Sequence, residues 1–120
     1  MKYLLALIGP DYDSADMAPE VMAEVMPHWM AFEQEIKESG AYVAGEALQP
    51  SPTATTVRIG DGGERTITDG PFVETKEKLG GFYLIEVETY EEAVAIAEKV
   101  PLVEGAVEVR AVVDFSAFTD

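Results

Sequence analysis

The chain has 120 residues, of which 48% are apolar and 26% are charged, and this composition predicts one globular domain over residues 1–120. Eight Lys and Arg residues against 23 Asp and Glu residues give a net charge of −15, which disfavours nucleic acids and anionic membrane surfaces as partners. The lack of cysteine excludes disulfides, thiolate metal sites and cysteine nucleophiles.

The first predicted element is a strand at residues 2–8, where an apolar run of strand length ends at Gly9 and Pro10. Both faces of this strand are apolar, which indicates a central position in its sheet. The run is too short for the hydrophobic region of a signal peptide or for a membrane span. We therefore expect a cytoplasmic protein.

A helix is predicted to begin at Pro19, which suits a first helical turn, and Glu20 complements the helix dipole there. Its apolar residues recur at steps of three and four and predict one buried stripe. Pro27 lies inside the stripe and predicts a kink or two abutting helices, because an interior proline costs about 3 kcal/mol. Gly40 is expected to end the helix. The stripe consists of Met22, Val25, Met26, Trp29, Phe32 and Ile36.

The middle of the chain predicts three further strands, at residues 41–48, 53–59 and 64–68. The second of these is rich in β-branched residues, which favour strands. The glycine-rich turn at residues 60–63 joins it to the third as a hairpin. Residues 69–80 are predicted to form a loop.

The C-terminal part predicts a strand at residues 81–88, a helix at 90–99 and a last strand at 106–113. Thr89 and Glu92 have the spacing of a capping box at the start of this helix. The tail after the last strand is expected to dock loosely or to reach a partner subunit.

The order of these elements is β-α-β-β-α-β with an extra hairpin, which predicts an α+β, ferredoxin-like domain. In this arrangement two helices cover one face of the sheet and leave the other face open. Outward residues of the central strands include apolar ones, and an open apolar face is a liability in a monomer. We therefore predict a homodimer with a cleft or barrel lumen between or beside the sheets.

The stretch DGPFVETKEKLGGFY, from Asp69 to Tyr83, resembles the signature of the YCII-related (DGPF-motif) family. The resemblance implies a dimeric ferredoxin-like α/β barrel. It also implies membership of a group of mostly undefined activity, in which some proteins occur beside or fused to sigma factors and one branch includes a dehydrochlorinase. Trp29 stands where many relatives carry the histidine of a proposed catalytic His–Asp pair, and His28 is its neighbour. Further similarity lies at residues 1–3, Phe32, Gly40, 45–50, 57–58 and 108–110.

Asp69 is the candidate catalytic residue, with two interpretations. It can cap a turn in which Gly70 and Pro71 set the backbone and Phe72 fills the core. Alternatively it lies at a strand end beside a cleft and acts as a general base or ligand acceptor.

The candidate ligand-binding residues are Lys76, Glu108, Arg110, Phe72 and Trp29. Lys76 belongs either to a solvated charged loop or to an anion site. Glu108 and Arg110 lie two apart on a strand and so share a face, where the arginine either forms a structural ion pair or holds a carboxylate. Trp29 belongs either to the core or to an apolar pocket.

No cofactor is expected, since one histidine and scattered carboxylates lack metal-ligand spacing and the glycines at residues 60–63 form a hairpin tip rather than a phosphate-binding loop. Two functions compete: a homodimeric small-molecule-binding or regulatory module, and a cofactor-free enzyme for proton transfer, isomerisation or elimination on a small anionic or aromatic metabolite. A purely structural domain is the third possibility.

Overall fold

The structure, a computed structural model, describes residues 1–72 and 76–118. Over these residues the chain forms six strands, two α-helices and two short 3₁₀ segments at Ser51–Thr53 and Phe115–Phe118. In chain order the strands and helices are β1 (Lys2–Gly9), α1 (Pro19–Glu38), β2 (Tyr42–Ala47), β3 (Thr55–Ile59), β4 (Arg65–Asp69), β5 (Lys78–Glu86), α2 (Tyr90–Glu98) and β6 (Ala106–Ala111).

The main sheet is antiparallel and has the strand order β2-β5-β1-β6. The central strands are thus β5 and β1, the two segments whose apolar residues occupy both faces. β3 and β4 form a separate two-stranded hairpin inserted between β2 and β5. This topology is that of a ferredoxin-like α+β domain with an added hairpin, and it confirms the predicted fold class.

The core lies between the main sheet and the two helices, on one side of the sheet only. From the sheet, Leu5 and Ile85 are fully buried, and Tyr3 and Tyr83 flank them. The phenol of Tyr83 meets the ring of Phe32 edge to face, with 5.3 Å between the ring centroids. The helices and their flanks contribute Phe32, Ile36, Ala41, Ala93 and Val100.

α1 is one helix that continues through Pro27, so the predicted alternative of two abutting helices is wrong. Within the predicted stripe only Phe32 and Ile36 are buried, and Met26 is exposed. The C-terminal turns of α1 contribute Phe32 and Ile36 to the core, whereas Met26, Pro27 and His28 are exposed. Burial of these C-terminal side chains offsets the cost of the interior proline.

The helix ends follow the predicted signals. The hydroxyl of Thr89 accepts a hydrogen bond of 3.1 Å from the backbone N–H of Glu92 and caps α2. After α1, Gly40 has a φ of +82°, a left-handed conformation that favours glycine.

The described residues form a flat slab, with extents of 50 × 47 × 19 Å. Their radius of gyration is 16.9 Å, whereas a compact chain of this length has about 13–14 Å. The small thickness corresponds to one sheet and one layer of helices. The second face of the sheet therefore carries no helical layer.

Replacing Ile85 with alanine should reduce the free energy of unfolding by about 2–5 kcal/mol, because the side chain is fully buried and its loss leaves a cavity. Val103→Ala is the control, since Val103 is 97% exposed and its truncation should change the free energy by less than about 0.5 kcal/mol. Urea unfolding followed by circular dichroism measures both values. Equal effects would contradict this placement of the core.

Candidate functional site

The face of the main sheet opposite the helices is the first candidate surface. In the strand register, Leu4 lies opposite Leu84 and Ala6 lies opposite Phe82. Directly opposed residues of antiparallel strands point to the same side, and this side is not the one that holds the core. We call this surface the open face and define it by Leu4, Ala6, Ile8, Phe82 and Leu84.

Charged residues border the open face on its β6 side. Arg110 lies opposite Leu4, and Glu108 lies opposite Ala6, so both side chains extend over the same face. The Arg110 Nε and Glu108 Oε1 atoms are 3.7 Å apart and both side chains are solvent-exposed. A pair this exposed contributes little to stability, which leaves the guanidinium able to exchange its partner for a ligand carboxylate.

Trp29 lies on the other side of the sheet. It is half-buried and packs against the core cluster beneath the helices. Near it, burial raises the pKa of Tyr83 to about 12, with a smaller contribution from the negative charge of Glu33. The phenol therefore stays neutral at ordinary pH and is no base. Within one chain, Trp29 and Arg110 therefore lie on opposite sides of the main sheet.

Asp69 ends β4 at the base of the hairpin and is exposed to solvent. Next to it, the N–H of Gly70 donates to the carbonyl oxygen of Ala54 at 2.7 Å, and the Thr56 hydroxyl donates to the carbonyl oxygen of Gly70 at 2.7 Å. Gly70 has a φ of +96°, which favours glycine at this position. These bonds continue the pairing of β3 and β4 by one residue, and the chain bends at Gly70 directly after Asp69.

Phe72 does not fill the core, so that part of the turn interpretation is wrong. Its side chain is 64% exposed, and the guanidinium carbon of Arg58 lies 4.8 Å from the ring centroid. The backbone turn directs the ring outward to the hairpin, where stacking with the arginine replaces burial. Lys76 is exposed as well, and Glu74 of the same charged loop lies outside the described residues.

The candidate residues thus occupy separate parts of one chain. Asp69, Phe72 and Lys76 lie on the segment that joins β2 to β5, at one side of the sheet. Glu108 and Arg110 lie on β6, the strand at the opposite edge.

The structure contains a cleft beside the DGPF segment, residues 69–72, that the sequence did not indicate. It has a volume of about 270 Å³ and lies between the segment after β2 and the start of β5. Apolar side chains provide most of its surface, and Lys78, Gln49 and Ser51 are its polar members. Leu79, which lies opposite Ile8 in the register, connects the cleft with the open face. The lining residues are Leu48, Gln49, Ser51, Ala54, Pro71, Lys78 and Leu79.

Asp11 holds Ser51, one of the residues that line the cleft, in place. Its carboxylate accepts hydrogen bonds from the Ser51 hydroxyl and, at 2.9 Å, from the Ser51 backbone N–H. These bonds, and to a smaller extent the charge of Lys78, lower the pKa of Asp11 below its ordinary value of 3.8. The two residues are 40 positions apart, so no local pattern could have indicated the contact.

Within residues 1–72 and 76–118, no three His, Asp or Glu side chains converge as metal ligands. None of the helices in this described part of the chain is both long and apolar enough to cross a lipid bilayer.

Comparison with known proteins decides the family. The YCII-related domain matches residues 1–116, almost the whole chain. This chain belongs to the YCII-related domain family. The resemblance seen in the sequence is thereby confirmed. An uncharacterised protein of Rhizobium meliloti is 33% identical over 97 residues, which cover 81% of this chain and 77% of that protein.

A solved structure shares the fold of this YCII-related chain. It is a 5-chloro-2-hydroxyhydroquinone dehydrochlorinase from Burkholderia phenoliruptrix, in complex with 2,5-dihydroxybenzoquinone. The TM-score is 0.50 and the match covers 93% of each chain, at 16% identity. The similarity supports the ferredoxin-like architecture.

Ser51→Ala should raise the pKa of Asp11 toward its ordinary value, because the hydroxyl bond is the largest cause of its depression. A lowered pKa stabilises the fold above pH about 4, and this contribution is lost as the pH falls through the folded-state pKa. Carbon-detected NMR titration of the Asp11 carboxyl group measures the change.

Thr53→Ala is the matched control for this titration. The Thr53 hydroxyl donates to the carbonyl oxygen of Pro50 at 2.7 Å and not to Asp11. An Asp11 titration curve that is the same in both variants would contradict the described contact between Asp11 and Ser51.

Proposed function

We propose that this YCII-related protein is a homodimeric module that binds a small anionic or aromatic molecule on the open face, between two copies of the chain. The observation that carries the proposal is an apolar sheet face with no helical layer of its own, bordered by the guanidinium of Arg110.

The open face favours a second copy as its cover. Its large side chains, Leu4, Ile8, Phe82 and Leu84, are only partly buried within one chain. Removing apolar surface from water stabilises an assembly by about 25 cal/mol per Å². Two copies that meet face to face exclude water from both sheets and can leave a lumen between them.

Arg110 gives such a lumen a preference for anions. Its planar guanidinium matches a carboxylate, and charge-assisted hydrogen bonds are stronger where water is excluded. Phe82 and Leu84 provide an apolar surface on which an aromatic ring can pack. The dehydrochlorinase with this fold binds 2,5-dihydroxybenzoquinone, a small oxygenated ring, and we take that chemical class as the first probe.

The remaining candidate residues enter the proposal with smaller roles. Glu108 orients Arg110 before a ligand arrives, and Phe72 and Lys76 line the approach from the hairpin side. Trp29 supports the sheet from the helical side. The cytoplasmic location and an association with sigma factors stay predictions.

Arg110→Gln should weaken binding of 2,5-dihydroxybenzoquinone and of benzoate by about tenfold or more, since hydrogen bonds to charged groups contribute about 1.5–3 kcal/mol. Isothermal titration calorimetry measures the affinities. Lys99→Gln is the control, because it removes a positive charge that pairs with Glu35, away from the open face. Equal losses in both variants, or saturable binding that neither change affects, would contradict the proposed anion site.

The second candidate function is cofactor-free proton transfer, favoured by the dehydrochlorinase activity of the protein with this fold. Asp69 would then act as the base that removes a proton from a ring carbon or hydroxyl. It ends β4 two residues before Pro71, which lines the cleft, and a ligand that extends from the cleft toward the hairpin would approach this carboxylate.

For this alternative, Asp69→Asn should abolish any acceleration by the protein of solvent-deuterium exchange at the ring positions of 2,5-dihydroxybenzoquinone, followed by proton NMR. Asp61→Asn, at the tip of the hairpin, should leave the rate unchanged. An unaltered rate in Asp69→Asn with an intact fold would remove this aspartate from the mechanism.

A further inference from the structure

We propose that the β3–β4 hairpin is an arm that packs, through its apolar face, on the second copy of the chain. The inference rests on the proposed homodimer and adds to it a named surface outside the open face.

The arm has two chemically different faces. Val57 and Ile67 lie directly opposite each other, and Ile59, which lies opposite Arg65, continues the same face. These three side chains are 54%, 70% and 65% exposed, in that order. The reverse face is polar and consists of Thr56, Arg58, Thr66 and Thr68.

The contacts within the chain leave the apolar face uncovered. Across residues 1–72 and 76–118, the extensive contacts of β3 and β4 are with each other only. The hydrogen bonds from Gly70 to Ala54 and from Thr56 to Gly70 tie the base of the arm, and the stacking of Arg58 on Phe72 uses the polar face. An isolated two-stranded hairpin is marginally stable in water, so this arm needs a further surface to pack on.

The arm does not fold over its own open face. A hairpin packed flat on the open face would add a layer about 10 Å thick, whereas the thickness of 19 Å corresponds to the sheet and the helices alone. It therefore extends sideways in the plane of the slab. From there its apolar face is available to another molecule and not to its own sheet.

A second copy fits this surface by continuity. The arm leaves the sheet after β2 and returns into β5, whose Phe82 and Leu84 belong to the proposed dimer interface. A two-fold axis through that interface covers both arms at once.

The arrangement has a consequence for Asp69. It lies opposite Thr55 on the same face of the arm as Val57 and Ile67. If that face packs on the second copy, the carboxylate of Asp69 lies at the boundary between the two chains.

Ile67→Asp and Thr66→Asp test the proposal as a matched pair. The two positions are adjacent and exposed, and both changes add one negative charge, but they lie on opposite faces of the arm. Ile67→Asp should raise the dimer dissociation constant by about tenfold or more, because it places a charge where the second copy would bury an apolar side chain. Thr66→Asp should leave it within about twofold. Sedimentation velocity over a range of micromolar concentrations measures both constants.

Excision of the arm gives a second variant that does not depend on how one substitution is tolerated. Ala54 and Gly70 are joined by a backbone hydrogen bond of 2.7 Å, so residues 55–69 can be removed and these two residues linked directly. The shortened chain should keep the circular dichroism of the main sheet and helices and should lose dimer affinity as Ile67→Asp does.

The outcomes separate this inference from the proposed function. If the shortened chain and Ile67→Asp both dimerise as the unaltered protein does, the arm proposal fails while binding that depends on Arg110 can persist. If Thr66→Asp weakens the dimer as much as Ile67→Asp does, the apolar face is not the contact surface. If the unaltered chain is a monomer, the homodimer and the arm proposal fail together.

Discussion

The central constraint on this molecule is that two helices cover one face of a four-stranded sheet whose central strands are apolar on both faces. β1 places Leu5 in the core and Leu4 and Ala6 on the opposite side. Apolar residues on both sides of a central strand favour protection of both sides from water. The core provides that protection on one side, and we propose that a second chain provides it on the other.

The proposed functions follow from this geometry. The polar groups that can recognise a ligand stand at the margins of apolar surfaces: Arg110 and Glu108 beside the open face, and Lys78 and Gln49 in the cleft near the DGPF segment. One chain keeps Arg110 and Glu108, on the edge strand β6, apart from Asp69, which lies on the arm next to the opposite edge. An assembly of two chains is therefore the arrangement in which Asp69 and Arg110 can act on one ligand.

Much of the fold could be predicted from local signals. The apolar runs gave β1 and β5, Thr89 marked the start of α2, and the glycine-rich turn gave the hairpin. Periodicity identified the inward side of α1, but it carries no information on how far the sheet extends beneath the helix. The exposure of Met26 therefore could not be predicted. The contact of Asp11 with Ser51 depends on tertiary structure, as does the outward position of Phe72.

The most direct test of the proposed dimer is the molar mass of the unaltered protein in solution, measured by sedimentation equilibrium at low micromolar concentration. A dimer has twice the 13.0 kDa of one chain, and we expect that mass. A mass of 13.0 kDa, with Leu4 and Leu84 freely accessible to solvent, would contradict it.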